Sequence, residues 1–168
     1  EITTRLVGSE MCIRDRYAML KGLLSVYTPS DIIFTCPDLE KCKRISQETG
    51  VRYAESNAEC ANNAQYVVLA VKPQVYNVVL NNINNVIRED SVVISIAPGI
   101  SIDNIKSQLG INARVVRAMP NTPALVGEGM TGVAYDKENF SFEEREVIDS
   151  FFNSFGKVVY VSENQMNA

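Results

Sequence analysis

The sequence predicts a doubly wound α/β fold, a mostly parallel sheet with helices on both faces, and three observations carry the prediction. Short β-branched runs alternate with helical stretches from Asp31 onward, several of those runs are apolar without interruption, and small or proline residues follow two of them directly. An unbroken apolar run marks a strand whose sheet is covered on both faces. At 168 residues, 46% of them hydrophobic, the chain suits one domain with a core of two or three layers.

Taken in order, the opening row EITTRLVGSEMCIRDR hints at a strand only through Leu6 and Val7 and holds one glycine, Gly8. A helix is predicted over 17–26, and strands over 32–36, 66–71, 92–96, 114–117, 132–135 and 158–161. Val75, Val78, Val79, Ile83, Val86 and Ile87 recur at three-and-four spacing, so they form the core-facing stripe of one amphipathic helix. Ser141 and Glu144 make a capping box ahead of Val147, Ile148, Phe151, Phe152 and Phe155, and Gly156 stops that helix. Ser162 and Gln165 carry the same signature for the start of a further helix.

Bulk properties narrow the function. A net charge of -4 provides no basic field, which argues against nucleic acid as a partner. No apolar run reaches the roughly 18 residues that cross a bilayer, and the first residues lack a basic-then-apolar signal, so the chain reads as cytoplasmic and without a membrane partner. Cys12, Cys36, Cys42 and Cys60 are irregularly spaced, which predicts reduced thiols and no metal site. There is no histidine, so an imidazole base is excluded and chemistry must come from a cofactor or from other side chains.

Candidate chemistry lies at strand ends. Ala70-Val71-Lys72-Pro73 follows one predicted strand and Ile96-Ala97-Pro98-Gly99 the next. In an open parallel sheet, ligands bind outside the carboxyl ends of strands, where small residues let a flat cofactor lie against backbone. The competing reading is that the two prolines only end strands and Lys72 is a solvated charge. Cys36-Pro37-Asp38 stands where such a fold reads an adenosine ribose, although Asp38 serves equally well as the N-cap of the next helix. From Met119 to Met130, Pro120 and Pro123 hold Asn121 and Thr122 in a rigid loop, read either as a site wall or as a structural turn with a cis X-Pro bond. The GxGxxG turn that lets backbone amides approach a pyrophosphate is absent.

Together and in this order, Ala70-Val71-Lys72-Pro73-Gln74, Ser95-Ile96-Ala97-Pro98-Gly99 and Met119-Pro120-Asn121-Thr122-Pro123-Ala124-Leu125-Val126-Gly127-Glu128-Gly129 resemble pyrroline-5-carboxylate reductase, over about residues 18–168. The resemblance implies a Rossmann-like domain and NAD(P)H-dependent reduction of the C=N bond of 1-pyrroline-5-carboxylate to proline, the last step of proline biosynthesis. The expected cofactor is NADP, with NAD as the second option. By resemblance Cys36, Asp38 and Asn57 lie toward the adenosine end, and Ala70, Val71, Lys72 and Pro73 line the cofactor. Ile96, Ala97 and Pro98 approach the nicotinamide, and Asn121 and Thr122 form the substrate-side loop; no catalytic residue and no metal ligand is assigned. The family usually has alanine at the place of Pro98 and commonly aspartate at the place of Asn167.

The same alignment puts Met11, Ile13 and Arg16 where the family has its three glycines. Residues 1–16 are therefore read as an aberrant segment resembling translated adapter sequence, 17–162 as the dinucleotide-binding domain, and 163–168 as the start of a truncated helical domain. In the family that domain builds a homo-oligomer and most of the substrate pocket, so the chain alone is expected to be inactive. The other readings are the cofactor domain of a related imine or hydroxy-acid dehydrogenase, and a non-catalytic Rossmann-like interaction module.

Overall fold

The computed structural model describes residues 4–7, 13–121 and 129–167. Among them the order of elements is β1 (Thr4–Val7), α1 (Ile13–Leu23), β2 (Ile32–Phe34), α2 (Leu39–Thr49), β3 (Arg52–Tyr53), α3 (Asn57–Ala61) and β4 (Tyr66–Leu69). There follow α4 (Tyr76–Ile83), β5 (Val92–Ser95), α5 (Ile102–Leu109), β6 (Arg114–Pro120), β7 (Gly129–Ala134), α6 (Phe142–Asn153) and β8 (Gly156–Tyr160). The strands make one sheet in the order β3-β2-β1-β4-β5-β6-β7-β8. The first six run parallel, β7 is antiparallel to β6, and β8 is parallel to β7. This is the predicted doubly wound class.

Strand pleating explains the apolar runs. Leu6, Val68, Ile94 and Val116 point into a core closed by Met19, Leu20 and Leu23 of α1 and by Ile148, Phe151 and Phe152 of α6. Their neighbours Val7, Val67, Val93 and Val115 point the other way, onto Cys60 of α3, Val79 and Leu80 of α4 and Ile105 of α5. Side chains alternate along a strand, so a sheet buried on both sides needs apolar residues at every position.

Along the chain, the structure departs from the expected elements most clearly in four places. Thr4–Val7, inside the segment read as aberrant, forms the central strand, and α1 begins at Ile13 instead of at 17. The two-residue β3 is too short to leave a pattern in the sequence. The helix expected through Ile87 is α4, ending at Ile83: Pro73 opens a preceding 3-10 turn, while Val86 and Ile87 pack on the core from the turn beyond. The Ser162–Gln165 signature is real in its hydrogen bonds, yet it opens a 3-10 turn, Glu163–Asn167.

Helix α1 approaches the α6–β8 corner through Gly22. A Cβ there would stand 2.7 Å from Phe155 Cδ1 and 2.8 Å from the Ser154 carbonyl oxygen. Gly22→Ala is expected to lower stability by about 1–2 kcal/mol, the overpacking cost outweighing alanine's better helix propensity. Urea denaturation checks this; a variant more stable than the parent would mean that the helix is not seated so closely.

Candidate functional site

The strand order reverses between β1 and β4: from β1 the chain moves outward to β2 and β3, then returns to β4 on the other side. That reversal opens a crevice at the carboxyl ends of the two strands, the place where doubly wound sheets bind ligands. Register brings the ends of four strands level there. Leu6 pairs with Phe34 and with Val68, and Leu69 pairs with Ser95. One residue further, the backbone N–H groups of Thr35, Ala70 and Ile96 donate to the carbonyls of Leu6, Val7 and Leu69.

The residues singled out at strand ends therefore share one edge. Ala70, Val71, Ile96 and Ala97 have buried side chains, whereas Lys72, Pro73 and Pro98 are exposed. Beneath this edge Tyr76 of α4 and Ser95 of β5 are both fully buried. Burial pushes the Tyr76 phenol above its ordinary range. The phenol thus stays neutral at any physiological pH.

The adenosine side differs from expectation. Irregular spacing predicts reduced thiols, but Cys36 and Cys42 are joined as a disulfide. The cause is three-dimensional: α2 turns back over the end of β2 and brings the two Cα atoms to 6.4 Å. Asp38 caps α2, its carboxylate accepting from the Lys41 backbone N–H at 3.2 Å and pairing with the Lys41 ammonium at 3.1 Å. The backbone bond first and the ammonium second hold the Asp38 carboxyl below its ordinary range. Asn57 opens α3 behind the cap Ser56, beyond the carboxyl end of β3 and on the face of the sheet opposite α2.

At the other end, Asn121 serves its own hairpin. Its backbone N–H donates to the Met130 carbonyl at 3.2 Å, and its Oδ1 accepts from the Met130 N–H at 2.9 Å. Met119 and Pro120 belong to β6, and Gly129 and Met130 to β7, so the segment read as one rigid loop is largely strand at both ends. Among the described residues every peptide bond is trans. Thr122 and Pro123 lie outside the described residues, as do Gly8 and Met11.

Sequence reasoning missed one positioning group. Glu163 Oε1 accepts from the Ile102 N–H at 2.7 Å and from Arg117 at 3.1 Å. It pins the start of α5, directly after the turn carrying Pro98, to the middle of β6. The available signal was Arg117 itself, a charge between apolar neighbours in mid-strand and only 2% exposed, which calls for a buried partner. Cys60, in contrast, is structural: its Sγ lies against the Leu6 and Ile33 carbonyls, and burial pushes its thiol up to about 12. An unfolded thiol ionises near 9.0, so this contribution to stability is complete below that pH and is lost as pH rises toward 12. Native Cys60 is expected to resist iodoacetamide at pH 9, with the denaturation midpoint falling above it; rapid native alkylation would contradict that burial.

A family model described as NADP oxidoreductase coenzyme F420-dependent matches residues 17–99. The pyrroline-5-carboxylate reductase of Escherichia coli (strain K12) is 37% identical over 145 residues, 86% of this chain and 51% of that protein. That of Staphylococcus epidermidis is 35% identical over 139 residues, 82% of this chain and 51% of its own length. Among solved structures, a pyrroline-5-carboxylate reductase from Coxiella burnetii superposes with a TM-score of 0.86 at 30% identity, covering 98% of this chain and 61% of the other. Plasmodium falciparum pyrroline carboxylate reductase with NADP bound gives 0.80 at 27%, covering 96% and 59%. The chain spans about half the length of the curated relatives it matches. By sequence and by fold, this chain is a relative of the pyrroline-5-carboxylate reductases.

Proposed function

We propose that the chain is the nucleotide-binding part of a reductase that uses NADPH to reduce the C=N bond of 1-pyrroline-5-carboxylate, giving proline. The observation that carries this reading is the shared edge: the strand-end motifs of β4, β5 and β6 fall on one side of the sheet beside the β1/β4 crevice. Backbone at Ala70, Val71, Ile96 and Ala97 would face the cofactor, with Lys72, Pro73 and Pro98 at its margin. Cys36, Asp38 and Asn57 would lie toward adenosine, and Asn121 and Thr122 toward the substrate. The domain, read as 17–162, takes in β1 as well, since Thr4–Val7 pairs with both β2 and β4, and the family match covers 17–99 of it. Assembly as a homo-oligomer and a cytoplasmic location belong to the same reading; among the described residues no helix is long and apolar enough to cross a membrane.

The residues present fit NADP on the sheet side only. The strand edge offers backbone and small side chains, but the β1–α1 connection holds Gly8 as its single glycine, with Met11, Ile13 and Arg16 at the positions of the fingerprint. No chemical step is therefore assigned to the chain as it stands, and no measurable pyrroline reduction is expected from it. The test is to resequence the source gene across both ends and assay the resulting protein. A glycine-rich start and a downstream helical region, with NADPH-dependent pyrroline reduction, support the proposal. Turnover of a hydroxy acid instead would move the chain to a related dehydrogenase, and a stable protein that binds no nicotinamide nucleotide would make it a non-catalytic module.

A further inference from the structure

We infer that Cys36 and Cys42 are a reversible dithiol–disulfide site, and that its oxidation weakens the chain's hold on the adenosine end of a nucleotide. The second half rests on the cofactor reading above; the first stands on geometry alone. Cys36 lies two residues beyond β2 and is half-buried, whereas Cys42 sits in the first turns of α2 and is fully buried. Their Cα separation of 6.4 Å falls in the range that a disulfide spans.

The position of the pair gives it a consequence. The ring closed by the disulfide contains Pro37, Asp38 and Lys41, the segment with which a doubly wound fold reads a ribose. With the ring closed, Lys41 holds the Asp38 carboxylate through both its backbone N–H and its ammonium. A ribose hydroxyl needs that carboxylate released, and a ribose phosphate needs the ammonium. Opening the ring gives the segment the freedom to separate them.

The chemistry requires a small-molecule disulfide, of which glutathione disulfide is the probe. The accessible Cys36 sulfur attacks one of its sulfurs and expels one glutathione thiol; the Cys42 sulfur then attacks the Cys36 sulfur and expels the second. Two protein thiols lose two electrons and two protons, and one glutathione disulfide becomes two glutathione thiols. Cys60, closed in between β1 and β2, takes no part.

The chain is equilibrated in glutathione buffers from fully reduced to fully oxidised, then denatured, alkylated and mapped by mass spectrometry. Parallel samples are titrated with NADPH by fluorescence. The expected result is a Cys36–Cys42 link that appears and disappears reversibly with the glutathione ratio, and Cys60 free throughout. NADPH should bind at least about fivefold more weakly in the oxidised state, a difference that vanishes in Cys42→Ala. Thiols at 36 and 42 that stay free across the whole range overturn the site. A link that forms with NADPH affinity equal in both states overturns the coupling. A reversible link with no NADPH binding in either state, even in the Met11→Gly, Ile13→Gly, Arg16→Gly variant, establishes the redox site and overturns the cofactor reading, together with the coupling that rests on it.

Discussion

Replacing Met11, Ile13 and Arg16 together by glycine is expected to raise NADPH affinity about a thousandfold. Those three positions follow the G-x-G-x-x-G spacing and lie in sequence between β1 and the end of the first turn of α1. In this fold the glycines allow backbone N–H groups to approach a pyrophosphate at the positive end of a helix. Three charge-assisted bonds at roughly 1.5 kcal/mol each come to about 4.5 kcal/mol, which is the thousandfold change. Glycine near a helix start costs about 1 kcal/mol per residue at most, so thermal unfolding has to be followed in parallel. Fluorescence titration with NADPH reads the result, and unchanged affinity in a folded variant would show that another feature limits binding.

Gly156→Ala is expected to remove about 3 kcal/mol or more of folding stability. Gly156 joins α6 to β8 at a φ of 142°, a backbone conformation that L side chains rarely adopt. It also pairs in register with Gly129, and a Cβ would lie 2.3 Å from the Gly129 carbonyl oxygen and 2.7 Å from its nitrogen. Neither atom can swing aside as a side chain does, so β8 must separate from β7 or the helix must shift. For a domain of this length the loss corresponds to a fall in Tm on the order of 10 °C. Calorimetry on both proteins measures it, and a loss under about 1 kcal/mol would mean that the corner relaxes easily.

The fold was legible where burial on both faces imposed apolar residues at consecutive positions. Strands β2, β4 and β5 are such runs and were found within two residues of their ends. β1 was not legible, because Thr4 and Arg5 break the run: Thr4 is buried, and the Arg5 guanidinium reaches the Glu59 and Cys60 carbonyls. A side chain paired across 54 residues leaves no local trace. At the site, the strand-end tetrapeptides were readable because they are local and directional. Asp38 admitted two roles, and its bonds to Lys41 select the cap in this state. The loop of Asn121 admitted two readings, a site wall or a structural turn; its side-chain carbonyl closes a hairpin whose second strand begins eight residues later. The Cys36–Cys42 link follows from the angle between β2 and α2, which spacing along the chain does not encode.

The central position of β1 bears on how the protein is assembled. The first strand in sequence is flanked by β2 and by β4, so it acts as the seam between a two-stranded and a five-stranded half. Parallel pairing of this kind closes long loops before it returns stabilising contacts, which slows folding. Any substitution that loosens Thr4–Val7 would not fray a border; it would split the sheet along its middle. Each half would then expose a row of unpaired backbone groups capable of joining a second chain. The four residues TRLV therefore govern solubility as much as stability, although they contribute a small share of the core.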